Sequence, residues 1–246
     1  MSSQDKARTN ASNQSVHLER TFTRFTLIER WQHTLLLLSF TTLILTGLPQ
    51  RYRAASWSQQ IITSPERLLT IRQVHHIAAL VLTLLVIYHL GRALFLIFRR
   101  KLPGDMLPTW QDVKDATQMI KYLLFLTKEQ PRFGKFNFEQ KVTYWFLFFD
   151  ILIMVISGFI IWFPLTFTRF LPGGIVPAAK LAHSTEAVAA GIFVVIWHFY
   201  HVHLQRLNLS IFTGKLSEQE MRTYHAAEFE HLTGEETNHP AAGDSR

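Results

Sequence analysis

Four apolar runs separated by polar stretches dominate the chain: roughly Leu27 to Leu48, Val74 to Phe98, Val142 to Pro164, and Leu181 to Leu204. Each is long enough to cross the hydrocarbon core of a bilayer, about 30 Å, as a helix. Pro49 and Pro164 are expected to close the first and third spans, because proline cannot continue the hydrogen-bond ladder. The second span stops at Arg99, Arg100 and Lys101. Trp31, Trp145 and Trp162 fall near span ends, where indole rings favour the interface. The pattern predicts an all-α integral membrane four-helix bundle over residues 27–204, with polar tails at 1–26 and 205–246.

The loop between the second and third spans carries WQDVKDATQMIKYLLFL. Trp110, Val113, Met119, Ile120, Leu123 and Leu124 recur near helical spacing, with Asp112, Lys114, Asp115 and Lys121 between them. This reads as an interfacial helix on the cytoplasmic face; a soluble docking helix is the alternative.

Charge sets the direction of insertion. Eighteen Lys and Arg residues lie in the N-terminal tail, the 99–141 loop and the C-terminal tail, against six in the two opposite loops. The excess is expected to keep both termini and the middle loop in the cytoplasm of a bacterial or archaeal inner membrane. The net charge of +7 is thereby explained by topology, and nucleic acid is not an expected partner. The first twenty residues have no apolar core and no small-residue cleavage site, so the first apolar run is expected to insert the chain.

Composition then narrows the chemistry. Hydrophobic residues make up 48% and charged residues 17%, below the usual charge content of soluble domains. The mean hydropathy is a modest +0.10 because the tails and the loop dilute the spans. There is no cysteine, which excludes disulfides, thiolate-held iron–sulfur clusters and covalently attached c-type haem. A redox cofactor here needs histidine, methionine or backbone.

Histidine is abundant where it is least expected. Of twelve histidines, six sit well inside spans: His33, His75, His76, His89, His183 and His198. Polar side chains at that depth are costly and generally functional. Bis-histidine ligation of b-type haem between facing helices is their simplest use. His75 and His89 are fourteen residues apart, His183 and His198 fifteen. Those offsets hold each pair within about 60° on one helix face and about 21 to 23 Å apart along it, as two stacked haems require. His76 points about 140° away from His89 and reads as a neighbour.

With this topology, His75 and His183 lie near the outer side. On the inner side His198 faces two competitors, His33 near the surface and His89 deeper; spacing alone favours His89 and leaves His33 open. His201 and His203 mark the exit of the fourth span, where solvated or headgroup roles are the default; a third haem pairing one of them with the leftover inner histidine is the lesser alternative. Gly47, Gly91, Gly158 and Gly191 interrupt the spans, with Gly191 midway between His183 and His198 as a place where a flat macrocycle approaches the backbone. Arg92 is a candidate partner for a propionate, and Glu186, three residues from His183, for a propionate-side hydrogen bond or a proton path. Asp150 is a further ionisable group inside a span.

The stretches RFTLIERWQHTLLLLSFTTLILTGLP, RQVHHIAAL, FNFEQKVTYWFLFFDILIMVISGFIIW and the fourth span followed by FTGKLS resemble the di-haem cytochrome b subunits of membrane-bound formate dehydrogenases. They also resemble the related hydrogenase and thiosulfate-reductase anchors. The resemblance implies an outer haem on His75 and His183 and an inner one on His33 and His198. The family interval on the fourth span is one residue shorter and falls on Trp197, so the helix is expected to rotate locally or bulge. His89 fits instead the ligand spacing of cytochrome b in bc-type complexes and stays as an alternative or extra ligand.

The family further implies quinone as substrate beside the inner haem. Asn137, in the stretch Asn137 to Lys141, would donate to a quinone carbonyl; Glu139, on our own inference, would exchange protons. Asn137 is equally a favoured helix cap. The implied partner is an extracytoplasmic iron–sulfur, molybdenum or multi-haem c-type subunit. Two other functions stay open on the residues: a stand-alone di-haem quinone oxidoreductase, for instance one oxidising superoxide, and a haem-free anchor or proton-relaying transporter.

Overall fold

The computed structural model describes residues 20–204 and 207–234; the expectations for the remaining tails lie outside it. In chain order the elements are β1 (Thr21–Thr23), α1 (Leu27–Arg51), α2 (Ser56–Ile61), α3 (Pro65–Phe98), α4 (Trp110–Leu123), α5 (Phe138–Trp162), α6 (Pro164–Phe167), α7 (Ile175–Phe193), α8 (Ser210–Thr213), β2 (Lys215–Ser217), α9 (Glu218–Tyr224) and α10 (Ala226–Thr233). A helical continuation carries α7 on to Leu204. Four of these helices have the length and hydropathy to cross a membrane: α1, α3, α5 and α7 with its continuation.

Polar caps start three of the spans ahead of their apolar runs. Thr26 accepts from the Glu29 amide while the Glu29 carboxylate accepts from the Thr26 amide. Asn137 and Gln140 exchange the same pair of bonds. Ser64 caps α3 with Pro65 in its first turn, a position where the missing amide proton costs nothing. Because capping chemistry rather than apolarity sets these starts, α3 begins nine residues before Val74. Pro49 lies inside α1, which runs on to Arg51. A proline in the last turn forfeits little of the ladder, and here its carbonyl accepts from Ser58 Oγ at 2.7 Å. The third span ends at Trp162, just before Pro164 opens α6.

The spans assemble as two antiparallel hairpins, α1 with α3 and α5 with α7, which meet chiefly through α1 and α7. Side chains of small volume are buried where helices approach: Ala78, Ser39, Ser157, Ala179 and Ala190. This is the packing expected where lipid, not water, surrounds the bundle. Helix α4 lies where the loop pattern places it. Lys141 Nζ at the start of α5 holds its Asp112 at 2.9 Å. Burial works to raise the Asp112 carboxyl, but the Lys141 ammonium and the Thr109 hydrogen bonds outweigh it and hold the group below the usual carboxylate range.

The described apolar cluster lies outside the spans. Leu216, Met221 and Phe229 pack with Phe22 in a cap, where β1 pairs antiparallel with β2. This short ribbon is an addition to the all-helical expectation. At its centre His225 is almost fully buried. Its Nδ1 lies 2.8 Å from the Gly134 carbonyl, which can only accept. The ring is therefore protonated at Nδ1, and Nε2 accepts from Arg24 Nη1 at 3.0 Å. Arg24 also reaches Gln140 Oε1 at 3.4 Å, and Arg30 donates to the Phe212 carbonyl. The cap thus ties together the start of α1, the start of α5 and the segment after α7, fixing one end of the bundle.

Phe229 is wholly inaccessible, so Phe229→Ala is expected to remove about 3–5 kcal/mol from the cap. Trypsin cleavage after Lys215 and Arg222 should accelerate while the four spans stay folded. An unchanged cleavage rate would show that the cap does not depend on this cluster.

Candidate cofactor-binding site

The two hairpins bring histidines together at two depths. His75 of α3 faces His183 of α7 with ring centroids 6.4 Å apart. Each ring is held by the hairpin partner of its own helix. Thr46 of α1 lies 2.9 Å from His75 Nδ1, and its hydroxyl proton already goes to the Thr42 carbonyl at 2.6 Å. It is left to accept, so His75 carries its proton on Nδ1. Ser157 of α5 repeats the arrangement: its hydroxyl donates to the Ile153 carbonyl at 2.7 Å and accepts from His183 Nδ1 at 3.1 Å. The Met154 carbonyl, 3.2 Å from the same nitrogen, confirms that tautomer. Both rings therefore keep a lone pair on Nε2, the state in which imidazole binds a metal.

The next residue in each holding helix is glycine, and each lets a ring approach closely. A Cβ on Gly47 would meet His75 Cε1 at 3.2 Å, and one on Gly158 would meet His183 Cε1 at 3.1 Å. Thr46-Gly47 and Ser157-Gly158 thus form matching seats, a hydroxyl to orient the ring and an open backbone to receive it. That repeated dipeptide was a readable signal that the sequence reading did not use. A Cβ on Gly191 would touch only Ile44 Cδ1, at 3.5 Å.

Toward the capped end, His33 of α1 faces His198 with centroids 6.3 Å apart. Phe212 stands edge-on to His33 at 6.0 Å, so the cap contributes a wall. His33 Nδ1 is buried without a hydrogen-bond partner among the described residues. His198 ends a π-helical stretch, Val194–His198, and a second follows at Tyr200–Leu204. A wide turn takes up one extra residue, which is the bulge expected from the one-residue-longer interval. It turns His198 inward while Trp197 Nε1 donates to Thr143 Oγ1 at 2.9 Å on the neighbouring span.

Both separations suit a shared metal. Two metal–imidazole bonds of about 2 Å each, with the depth of each ring added, would hold two facing imidazole centroids about 6 Å apart. At the His75–His183 position the facing donors, the free lone pairs and the glycine seats fit a haem held by two histidines; at the His33–His198 position the facing rings alone have the matching separation.

The other candidates lie elsewhere. His76 stacks on Trp162 at 4.0 Å. His89 meets neither pair: its Nδ1 is 2.9 Å from Gln32 Oε1 and its Nε2 2.9 Å from Tyr144 Oη. His201 Nδ1 donates to the Trp197 carbonyl at 2.7 Å, and His203 packs on Phe199. Asn137 Oδ1 accepts from the Gln140 amide at 2.8 Å, while its Nδ2 reaches only Glu139 Oε2, at 3.5 Å. Asp150 is buried in α5 and its carboxyl faces that of Glu186 on α7.

Residues 24–214 match the family described as prokaryotic cytochrome b561. The chain is 27% identical over 183 residues to the formate dehydrogenase cytochrome b556(fdo) subunit of Escherichia coli (strain K12), covering 73% of this chain and 78% of the relative. It is 22% identical over 203 residues to the nitrate-inducible formate dehydrogenase cytochrome b556(Fdn) subunit of the same strain, covering 82% and 87%. The corresponding Shigella flexneri subunit matches to the same extent. These matches do not favour a haem-free anchor or a stand-alone oxidoreductase. On these grounds the chain belongs to the prokaryotic cytochrome b561 family, and it is a membrane cytochrome b, an electron-transfer component whose family implies b-type haem.

Proposed function

We propose that this chain is the membrane subunit of a respiratory complex related to formate dehydrogenases, carrying electrons between a redox partner and quinone through two b-type haems. The observation that carries the reading is the pair of facing imidazoles at two depths, 6.4 Å and 6.3 Å between centroids. His75 and His183 hold the first haem, His33 and His198 the second. His89 is not a ligand in this reading, because both its nitrogens are engaged. When bound, haem supplies a one-electron carrier at each position.

The residues around each ring keep that carrier stable. Thr46, Ser157 and the Met154 carbonyl fix the Nδ1 protons of His75 and His183, so their Nε2 lone pairs would be free to hold iron. Such outer partners orient a ligand and raise its basicity. Gly47 and Gly158 let the rings seat close to backbone. Quinone reacts at the capped end. Asn137 spends its carbonyl oxygen on the helix cap but keeps amide protons for a quinone carbonyl, and Glu139 beside it exchanges protons with the cytoplasm. With both termini cytoplasmic, the partner docks on the opposite side, near His75 and His183. An iron–sulfur, molybdenum or multi-haem c-type subunit fills that role, and turnover then moves charge across the inner membrane.

The purified chain should carry two haems. His33→Ala should leave one, and His89→Ala should retain both; loss of haem only in His89→Ala would move the second position to α3. Gly158→Leu should abolish the haem held by His75 and His183, since the added side chain collides with the His183 ring. A full complement in that variant would contradict the seat. Asn137→Ala should slow reoxidation of the reduced protein by added quinone about tenfold, the loss of one hydrogen bond, with both haems in place. An unchanged rate would remove Asn137 from the quinone site.

A further inference from the structure

Most of the net charge lies at the end of the bundle away from the cap. Residues 49–73 and 163–181, which join the spans there, hold six basic residues: Arg51, Arg53, Arg67, Arg72, Arg169 and Lys180. Glu66 is the one acidic residue among them, leaving a net +5. The tails and the capped end, residues 1–30, 99–141 and 205–246, hold eighteen basic residues but also fifteen acidic ones, a net +3. Ion pairs divide the same way. Arg132–Glu230, Lys135–Asp105, Lys141–Asp112 and Arg222–Glu218 all lie at the capped end. None of the six basic residues at the other end is in an ion pair among the described residues, and all six are exposed.

Neither insertion nor helix stability accounts for this bias. The positive-inside rule and the anionic leaflet both draw basic residues to the cytoplasmic side. Arg67 is the third residue of α3, where the helix dipole favours an anion. The same end presents aromatic surface on a fixed support. Ser58 of α2 is wholly inaccessible and donates to the Pro49 carbonyl at 2.7 Å, pinning α2 to the end of α1. The pinned segment displays Tyr52 and Trp57, 40% and 44% exposed, with ring centroids 6.2 Å apart. The Arg51 guanidinium lies 5.7 Å from the Tyr52 ring. Arginine, tyrosine and tryptophan carry much of the binding energy at protein interfaces, and a guanidinium fork matches a carboxylate with two parallel hydrogen bonds.

We propose that this face docks an acidic surface of the redox partner, with carboxylates on Arg53, Arg67 and Arg72 and an apolar contact on Tyr52 and Trp57. The proposal rests on the partnered, two-haem reading above and adds the partner's charge and the residues that receive it. The face stands over the His75–His183 position. His75 is ten residues along α3 from Pro65 and His183 eight along α7 from Ile175, about 12 to 15 Å of helix. A carrier drawn in by charge therefore arrives beside the first haem. Steering of this kind raises encounter rates about ten- to a thousandfold and fades with salt.

The test is stopped-flow oxidation of the full-length, haem-loaded chain, reduced with dithionite in neutral detergent, by two oxidants of opposite charge. These are ferricyanide, an anion, and cobaltic tris-phenanthroline, a cation. At low salt Arg53→Glu/Arg67→Glu is expected to slow ferricyanide about tenfold and to speed the cobalt cation; about 0.5 M salt should erase both effects. Arg67→Glu suits a helix start, and the visible spectrum checks that the bundle is intact. Lys101→Glu/Lys128→Glu, at the capped end, should change neither rate. Poly-L-glutamate, used as the acidic polypeptide, should slow ferricyanide with the native chain and not with Arg53→Glu/Arg67→Glu. Rates insensitive to Arg53→Glu/Arg67→Glu, or more sensitive to Lys101→Glu/Lys128→Glu, would overturn the proposal and leave the two-haem reading standing. Slowing by added phosphatidylglycerol and not by poly-L-glutamate would overturn it by assigning the face to lipid headgroups. Absence of haem from the purified chain would overturn both readings.

Discussion

On the reading proposed here, everything else in the bundle depends on keeping four neutral imidazoles inside a membrane with the nitrogens that would bind metal left bare. A buried donor or acceptor that is not hydrogen-bonded is costly in hydrocarbon. At the His75 and His183 position the chain satisfies one nitrogen of each ring and withholds partners from the other. Thr46 and Ser157 can do this because each first gives its own proton to its helix, to the carbonyls of Thr42 and Ile153. A hydroxyl committed in that way can only accept, so the imidazole proton has one place to go. The free lone pairs are then determined by sequence four residues away on another helix.

That constraint explains the architecture. Each ring and the residue that orients it sit on the two helices of one hairpin, so each hairpin presents a finished donor. Joining the hairpins mainly through α1 and α7 leaves room between the facing rings. The cap serves the other end. Through His225, Arg24 and Gln140 it locks the starts of α1 and α5 together, and Phe212 lies against His33. The quinone chemistry proposed there involves residues that the cap itself positions, Asn137 above all.

Much of this was legible in the sequence. The four apolar runs are physical requirements of a bilayer and cannot be hidden, and histidine at such depth is costly enough to be conspicuous. The order of histidines along the chain already separated His75 and His183 from His198. Helix limits were less legible: Ser64 and Pro65 start α3 well before its apolar run, and Pro49 sits within α1 because a last-turn proline disturbs little. Helical spacing alone favoured His89 for His198; the resemblance pointed to His33, and the π turn at Val194–His198 supplies the expected bulge where the two rings face. The Gln32–His89–Tyr144 chain was invisible for a different reason. It joins three helices through contacts 55 and 57 residues apart in sequence, which no local pattern encodes.

The most direct test of the central claim is the low-temperature electron paramagnetic resonance spectrum of the oxidised, purified chain. Facing imidazoles at both depths predict two low-spin ferric haems, each with two nitrogen ligands, and no high-spin component. A high-spin signal in the intact protein, or a single low-spin species at full haem occupancy, would contradict it. Either result would mean that one of the two pairs does not close on iron.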